Sequence, residues 1–265
     1  MAESEPSDGL TVAAVAVIAY VLGSALHEGV GHGGACFLTG GTVKMISTVA
    51  EDCSSENRLV IAGGTLVNAA AALVCFLLGR LTSPRAAGLR FFLWLTMAVN
   101  LYMAAGYFLF SGIGGFGDWE MFIRGFPQQG AWRIGMTVFG AVAYGLSAHF
   151  LLREMRPLIG SDPTRRLVRA WRLSKISYFT GGILACIAGA LNPNGLILVA
   201  LSAGASTFGG TSGLLWANNW LLGKRIPLGT FEEPAPISRS WTWIVAAAFL
   251  AAIFVGVVGP GVHFH

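Results

Sequence analysis

The chain has 265 residues, of which 54% are hydrophobic and only 11% charged, with a formal net charge of +4. A soluble domain carries about 25% charged residues, so too few are present here to cover a water-facing surface. The small charge gives no reason to invoke nucleic acid, and with a mean hydropathy of +0.66 an all-α polytopic membrane protein with about seven transmembrane helices is expected.

Seven apolar stretches follow one another, at about 11–38, 59–79, 89–110, 131–152, 176–191, 195–222 and 241–259. Each is continuous rather than alternating, which favours helices over the strands of a barrel. The first is not read as a signal peptide, because Glu3, Glu5 and Asp8 precede it where lysines would stand. The fifth is shorter than the ~20 residues that a span needs. It is expected to form a tight hairpin with the sixth across Asn192-Pro193-Asn194. The polar connections 39–58, 111–130, 153–175 and 223–240 read as loops, and 1–265 as a single membrane domain. Thirteen of the Lys and Arg residues fall on the side of the N-terminus and four on the other. That predicts a cytoplasmic N-terminus and a non-cytoplasmic C-terminus. The Arg165/Arg166/Arg169/Arg172 cluster is read as part of this topology signal, against the lipid bilayer surface.

Ionisable side chains inside a bilayer cost several kcal/mol and mark function. Here they gather in one place, His27-Glu28-Gly29-Val30-Gly31-His32, inside the first stretch. Two imidazoles and a carboxylate form a metal-site constellation, imidazole being the usual zinc ligand and glutamate a base for water. The spacing is H-E-x-x-x-H. In a regular α-helix, residues five apart point about 140° from each other, too far to hold one ion. A π-bulge would return both rings to one face, and the neighbouring glycines make that distortion cheap.

This segment, followed by Gly40-Gly41-Thr42-Val43, resembles the site-2 protease family of intramembrane zinc metalloproteases. Three further elements fall in the family's order. Ala62-Gly63-Gly64-Thr65-Leu66-Val67-Asn68 resembles its second-helix G-P-x-x-N element, with Gly64-Thr65 where Gly-Pro is usual. Asn100-Leu101 resembles the N-L of the third helix, and Gly117-Asp118-Trp119 its Leu-Asp-Gly aspartate. The resemblance implies a catalytic core over 10–120, with additional transmembrane helices over 131–260. It implies His27, His32 and Asp118 as ligands of Zn2+, Glu28 as general base, and Asn68 bonded to substrate backbone or oxyanion. It further implies cleavage of a peptide bond in or near a transmembrane segment of a membrane-protein substrate.

Two other readings stay open: a non-catalytic scaffold or accessory subunit that keeps a metalloprotease-like core, and a transporter of protons or metal. Glu120 is a rival to Asp118 as ligand. His149 reads as a packing residue, and His263 and His265 as mobile terminal residues with some chance of reaching the site. The small polar residues between Ser202 and Gly213 suit close helix packing or a polar cleft. Trp119, Trp132, Trp216, Trp220, Trp241 and Trp243 read as interfacial anchors. Cys36 and Cys53 are open either to a disulfide over the mouth of the metal site or to remaining two unpaired residues, while Cys75 and Cys186 are expected to be free.

Overall fold

The computed structural model of the protein describes residues 6–193, 200–222 and 233–264. The chain is an all-α polytopic membrane protein. Six of its described helical spans are long and apolar enough to cross a bilayer: Gly9–Leu38, Arg58–Leu81, Ala87–Gly114, Gln129–Ile159, Arg165–Ala190 and Trp241–Val258.

The first span opens as α1 (Gly9–Ala25), capped by Asp8, whose carboxylate accepts from the Thr11 backbone N–H. Such a cap is worth about 1 kcal/mol. Nearly every residue of α1 is apolar and most are buried, as suits a helix surrounded by others. The span continues through π-helical turns over Leu26–Gly33 and ends as α2 (Gly34–Leu38). Next come β1 (Val43–Ile46) and β2 (Glu51–Cys53), an antiparallel pair with an irregular register between Val43 and Met45. The connection 39–58, expected as a loop, is thus largely this hairpin. It is tied down by a Cys36–Cys53 disulfide, while Cys75 and Cys186 are free.

Helix α3 (Arg58–Leu81) starts at Asn57, which caps Leu59 and Val60, and returns along the π turns. Helix α4 (Ala87–Gly114) is the most deeply buried span. It ends in a left-handed Gly115, and Gly117 (φ 87°) turns the chain into the short α5 (Asp118–Ile123). Helix α6 (Gln129–Ile159) follows.

The fifth stretch departs from the sequence reading. Helix α7 (Pro163–Ala190) is 28 residues long, and only 160–162 separate it from α6. The arginines that made 153–175 read as a loop are helical, and they bind the fold together. Buried Arg166 donates to the Leu221 carbonyl, Arg169 to the Ile159 carbonyl and Glu233, and Arg172 to the Ser7 carbonyl. Hydropathy scores each guanidinium as exposed, whereas these reach carbonyls and carboxylates that satisfy them. The expected turn at Asn192-Pro193-Asn194 lies partly outside the described residues.

The sixth stretch, expected as a helix over 195–222, is not a regular one where it is described. From Ala200 to Gly209 it is π-helical, and from Gly210 to Leu222 it passes through 3-10, a short α8 (Gly213–Trp216) and 3-10 turns again. Close packing explains the irregularity. A Cβ on Gly213 would sit 2.4 Å from the Tyr102 ring, and the Tyr144 hydroxyl donates to the Gly210 carbonyl. Helix α9 (Trp241–Ile253) runs into π turns over Phe254–Val258, and β3 (Val262–His263) pairs with β1, giving a sheet ordered β2-β1-β3. Ser7, Asp8, Arg172, Ile237 and Arg239 therefore share one end of the bundle, and the sheet, disulfide and α5 the other.

Candidate metal centre

The π turns put His27 and His32 on one face. Their rings lie 4.8 Å apart, edge to face, and both are buried. One extra residue per turn absorbs the fifth residue of spacing that an α-helix would have splayed. Val30, between them, is 55% exposed and points away.

Glycines bring α3 against this face. A Cβ on Gly31 would lie 2.5 Å from the Gly64 Cα, and one on Gly63 only 2.3 Å from the Gly31 carbonyl oxygen, so the two backbones touch. Gly64 lies over both rings, where a Cβ would stand 2.6 Å from Nε2 of His27 and of His32. Only hydrogen at this position leaves room before the two nitrogens.

The third group comes from α5. The Asp118 Oδ2 atom is 3.2 Å from His27 Nε2 and 3.5 Å from His32 Nε2. Trp119 sets this distance, donating its indole N–H to Thr65 Oγ1 at 3.1 Å and stacking on Phe108 at 4.1 Å. The rival Glu120 instead accepts from Arg124 on the surface. His149 takes no part in the cluster, His263 lies in β3, and His265 is outside the described residues.

The tautomers follow from the partners. The Nδ1 atom of His32 faces the Val60 carbonyl at 2.7 Å, which only accepts, so Nδ1 carries the hydrogen. The Nδ1 atom of His27 faces Asn68 Oδ1 at 2.6 Å. The Asn68 amide cannot be turned round, because its Nδ2 donates to the Gly23 carbonyl and to Asn100 Oδ1, and Asn100 donates in turn to the Thr96 carbonyl. With Nδ1 of each ring engaged in this way, both Nε2 atoms are directed at the same carboxylate oxygen. Buried His27 Nε2 and Asp118 Oδ2 have no hydrogen-bond partner. Two imidazole nitrogens and a carboxylate oxygen converging in a buried place call for a positive charge among them, a proton or a metal ion. Carbonyl or amide support behind each imidazole is the usual setting of metal-ligating histidines.

Asn68, which the resemblance implies bonds to substrate, stands here behind His27. It is fully buried and its amide is consumed by His27, Gly23 and Asn100. In this arrangement it positions His27.

A cavity of about 260 Å³ opens onto the cluster, lined by Glu28, His32, Asp118, Glu51, Glu56 and Tyr107 among others. Glu28 also borders a second, apolar cavity of about 260 Å³ between the π turns, Ile46 and α9. Burial works to raise the Asp118 carboxyl, yet the two facing imidazoles hold it below the usual range. Burial pushes Glu51 up to about 7, with His32 opposing and Glu28 reinforcing the shift. Ser206 lines the cavity, so the sixth stretch combines tight packing with a polar contact to the site. Sequence reasoning missed Tyr107, which stacks on His27 at 4.6 Å, and the Thr65–Trp119 bond. A tyrosine seven residues beyond Asn100 on the same helix face was the available signal for the first. The chain matches no protein-family model, no curated protein and no solved structure.

Proposed function

We propose that the protein is an intramembrane zinc endopeptidase. The observation that carries this reading is the convergence of His27 Nε2, His32 Nε2 and Asp118 Oδ2 with Glu28 at the edge of the same cavity. These donors suit zinc, with two imidazole nitrogens and one carboxylate oxygen leaving a fourth position open. A zinc ion held by these residues would supply a Lewis acid and would lower the pKa of water. The Glu28 carboxylate takes a proton from the attacking water and returns it to the leaving amine. Asn68 and the Val60 carbonyl keep both imidazoles in the tautomer that ligation requires, and Tyr107 holds the His27 ring from the side. The apolar cavity beside Glu28 suits the unwound end of a substrate's membrane segment.

The arginine-rich end of the bundle is assigned to the cytoplasm and the disulfide-bearing end to the outside. This follows the excess of Lys and Arg at the first and the persistence of disulfides in oxidising compartments. The π geometry supports catalysis over a scaffold, since a scaffold has no need to turn both rings to one face.

The test is elemental analysis of the purified protein together with cleavage of casein in detergent micelles. Wild type holds one zinc per chain and cleaves. His27→Ala and Asp118→Asn lose both properties, and Glu28→Gln keeps the zinc and loses cleavage. Zinc-free wild type, or cleavage that survives in Glu28→Gln, refutes the assignment.

A further inference from the structure

A second group of ligand atoms lies between α2 and the hairpin whose residues Val49, Ala50 and Glu51 line the cavity. The sulfurs of Cys36 and Cys53 and a carboxylate oxygen of Glu51 all lie within 4.8 Å of one another. With the sulfurs joined, they are poor ligands. Three further features surround them. Glu51 Oε1 is buried without a hydrogen-bond partner. Gly41 packs so closely against both sulfurs that a Cβ there would meet each at 2.8 Å. The backbone N–H of Ser55 points at Cys53 Sγ at 3.5 Å, a contact that favours a thiolate. A disulfide needs neither the unpartnered Glu51 oxygen nor the Ser55 N–H, and with the two sulfurs they describe a site for a soft divalent ion.

We infer that reduction of the Cys36–Cys53 bond converts this corner into a second metal site, with Cys36, Cys53 and Glu51 as its ligands. A dithiol reductant gives up two electrons and two protons and closes into its own disulfide. The Cys36–Cys53 sulfur–sulfur bond breaks and two thiols form. On taking up a divalent ion both thiols release their protons to solvent, and the Glu51 carboxylate supplies the oxygen. Two thiolates select zinc or cobalt over calcium or magnesium. The hairpin is then held at the cavity mouth in both redox states, by a covalent bond in one and by an ion in the other. The inference does not depend on catalysis, because the histidine cluster contributes none of these ligands.

The experiment uses the full chain in detergent and Co2+ as the probe. Protein is treated with or without dithiothreitol, freed of it by gel filtration under argon, and titrated with Co2+. Expected is a thiolate-to-cobalt charge-transfer band in the near ultraviolet, present only after reduction, with one more equivalent of Co2+ bound. Glu51→Gln, which leaves the disulfide intact before reduction, should weaken that extra equivalent at least about 10-fold. Alkylating the reduced wild type with iodoacetamide should abolish the band, a control that needs no refolded variant. The Cys36→Ser/Cys53→Ser chain, which retains Cys75 and Cys186, should lack it too. Equal Co2+ content in the two redox states, or a band that survives in the double variant, overturns the inference. Visible d–d absorption without the charge-transfer band reports the histidine cluster alone, so failure of one site is read separately from failure of the other.

Discussion

Replacing Gly64 by alanine tests the metal centre through its geometry rather than by removing a ligand. The new Cβ would stand 2.6 Å from His27 Nε2 and from His32 Nε2, whereas ordinary contact begins at 3.4 Å. Each ring, or α3 itself, must therefore give about 0.8 Å, and neither ring is free to retreat. The Nδ1 atoms are held at 2.6 and 2.7 Å by Asn68 and the Val60 carbonyl, and Tyr107 stacks against His27. Overpacking of this kind costs about 1–3 kcal/mol. Metal–ligand distances tolerate only about ±0.2 Å, so the strain falls on the metal rather than on the bundle. We expect zinc affinity to fall about 100-fold, or about 2.7 kcal/mol, with helicity unchanged. Competition against a chromophoric zinc chelator measures the affinity, and far-ultraviolet circular dichroism checks the fold. Gly34→Ala is the control, since nothing lies within 4 Å of a Cβ there. A Gly64→Ala chain that binds zinc within twofold of wild type refutes the reasoning, as does an equal loss in Gly34→Ala.

Asn68→Ala should cost about 10–100-fold in zinc affinity by freeing the His27 tautomer, measured in the same competition; an unchanged value removes Asn68 from its positioning role. Deleting Val30 shortens the motif to H-E-x-x-H, and a regular helix then keeps both rings on one face, so elemental analysis should still find zinc. Trp119→Phe removes the bond to Thr65 while keeping the ring stack, and should weaken zinc binding less than Asp118→Asn does; equal losses would show that Trp119 does more than aim Asp118. Asp8 is held at about 2 by Arg239 and the Thr11 cap, below its ordinary value of 3.8. Its contribution to stability is thus full above about pH 4 and lost as pH falls through about 2. Thermal unfolding of wild type and Asp8→Asn should therefore converge as pH falls through about 2, and a gap as large at pH 2 as at pH 5 would contradict the assignment.

The membrane class and the π turns of the His27–His32 segment were legible in the sequence because both are local. Composition decides which solvent the surface tolerates. A five-residue spacing between two histidines, flanked by glycines, requires extra backbone in the turn whatever else surrounds it, and the π turns over Leu26–Gly33 supply it. The proximity of Cys36 and Cys53 was equally a short-range matter, although the bond itself was not determined by spacing.

Tertiary structure decided what depends on elements distant in sequence. Asp118 reaches the histidines only because Gly117 turns the chain and Trp119 docks on Thr65, 54 residues away. Asn68 carries the same amide whether it faces substrate or backs His27. The Gly23 carbonyl and Asn100, on two other helices, orient it toward His27. The arginines of α7 read as solvent-facing because hydropathy assigns one value to a guanidinium everywhere. The carbonyls of Leu221, Ile159 and Ser7 that accept from them are contributed by distant segments. The sixth stretch is apolar enough for a helix, yet Tyr102 and Tyr144 pack against its glycines and leave it irregular. Local pattern sets what each segment can be, and the partners that satisfy its polar atoms decide what it becomes.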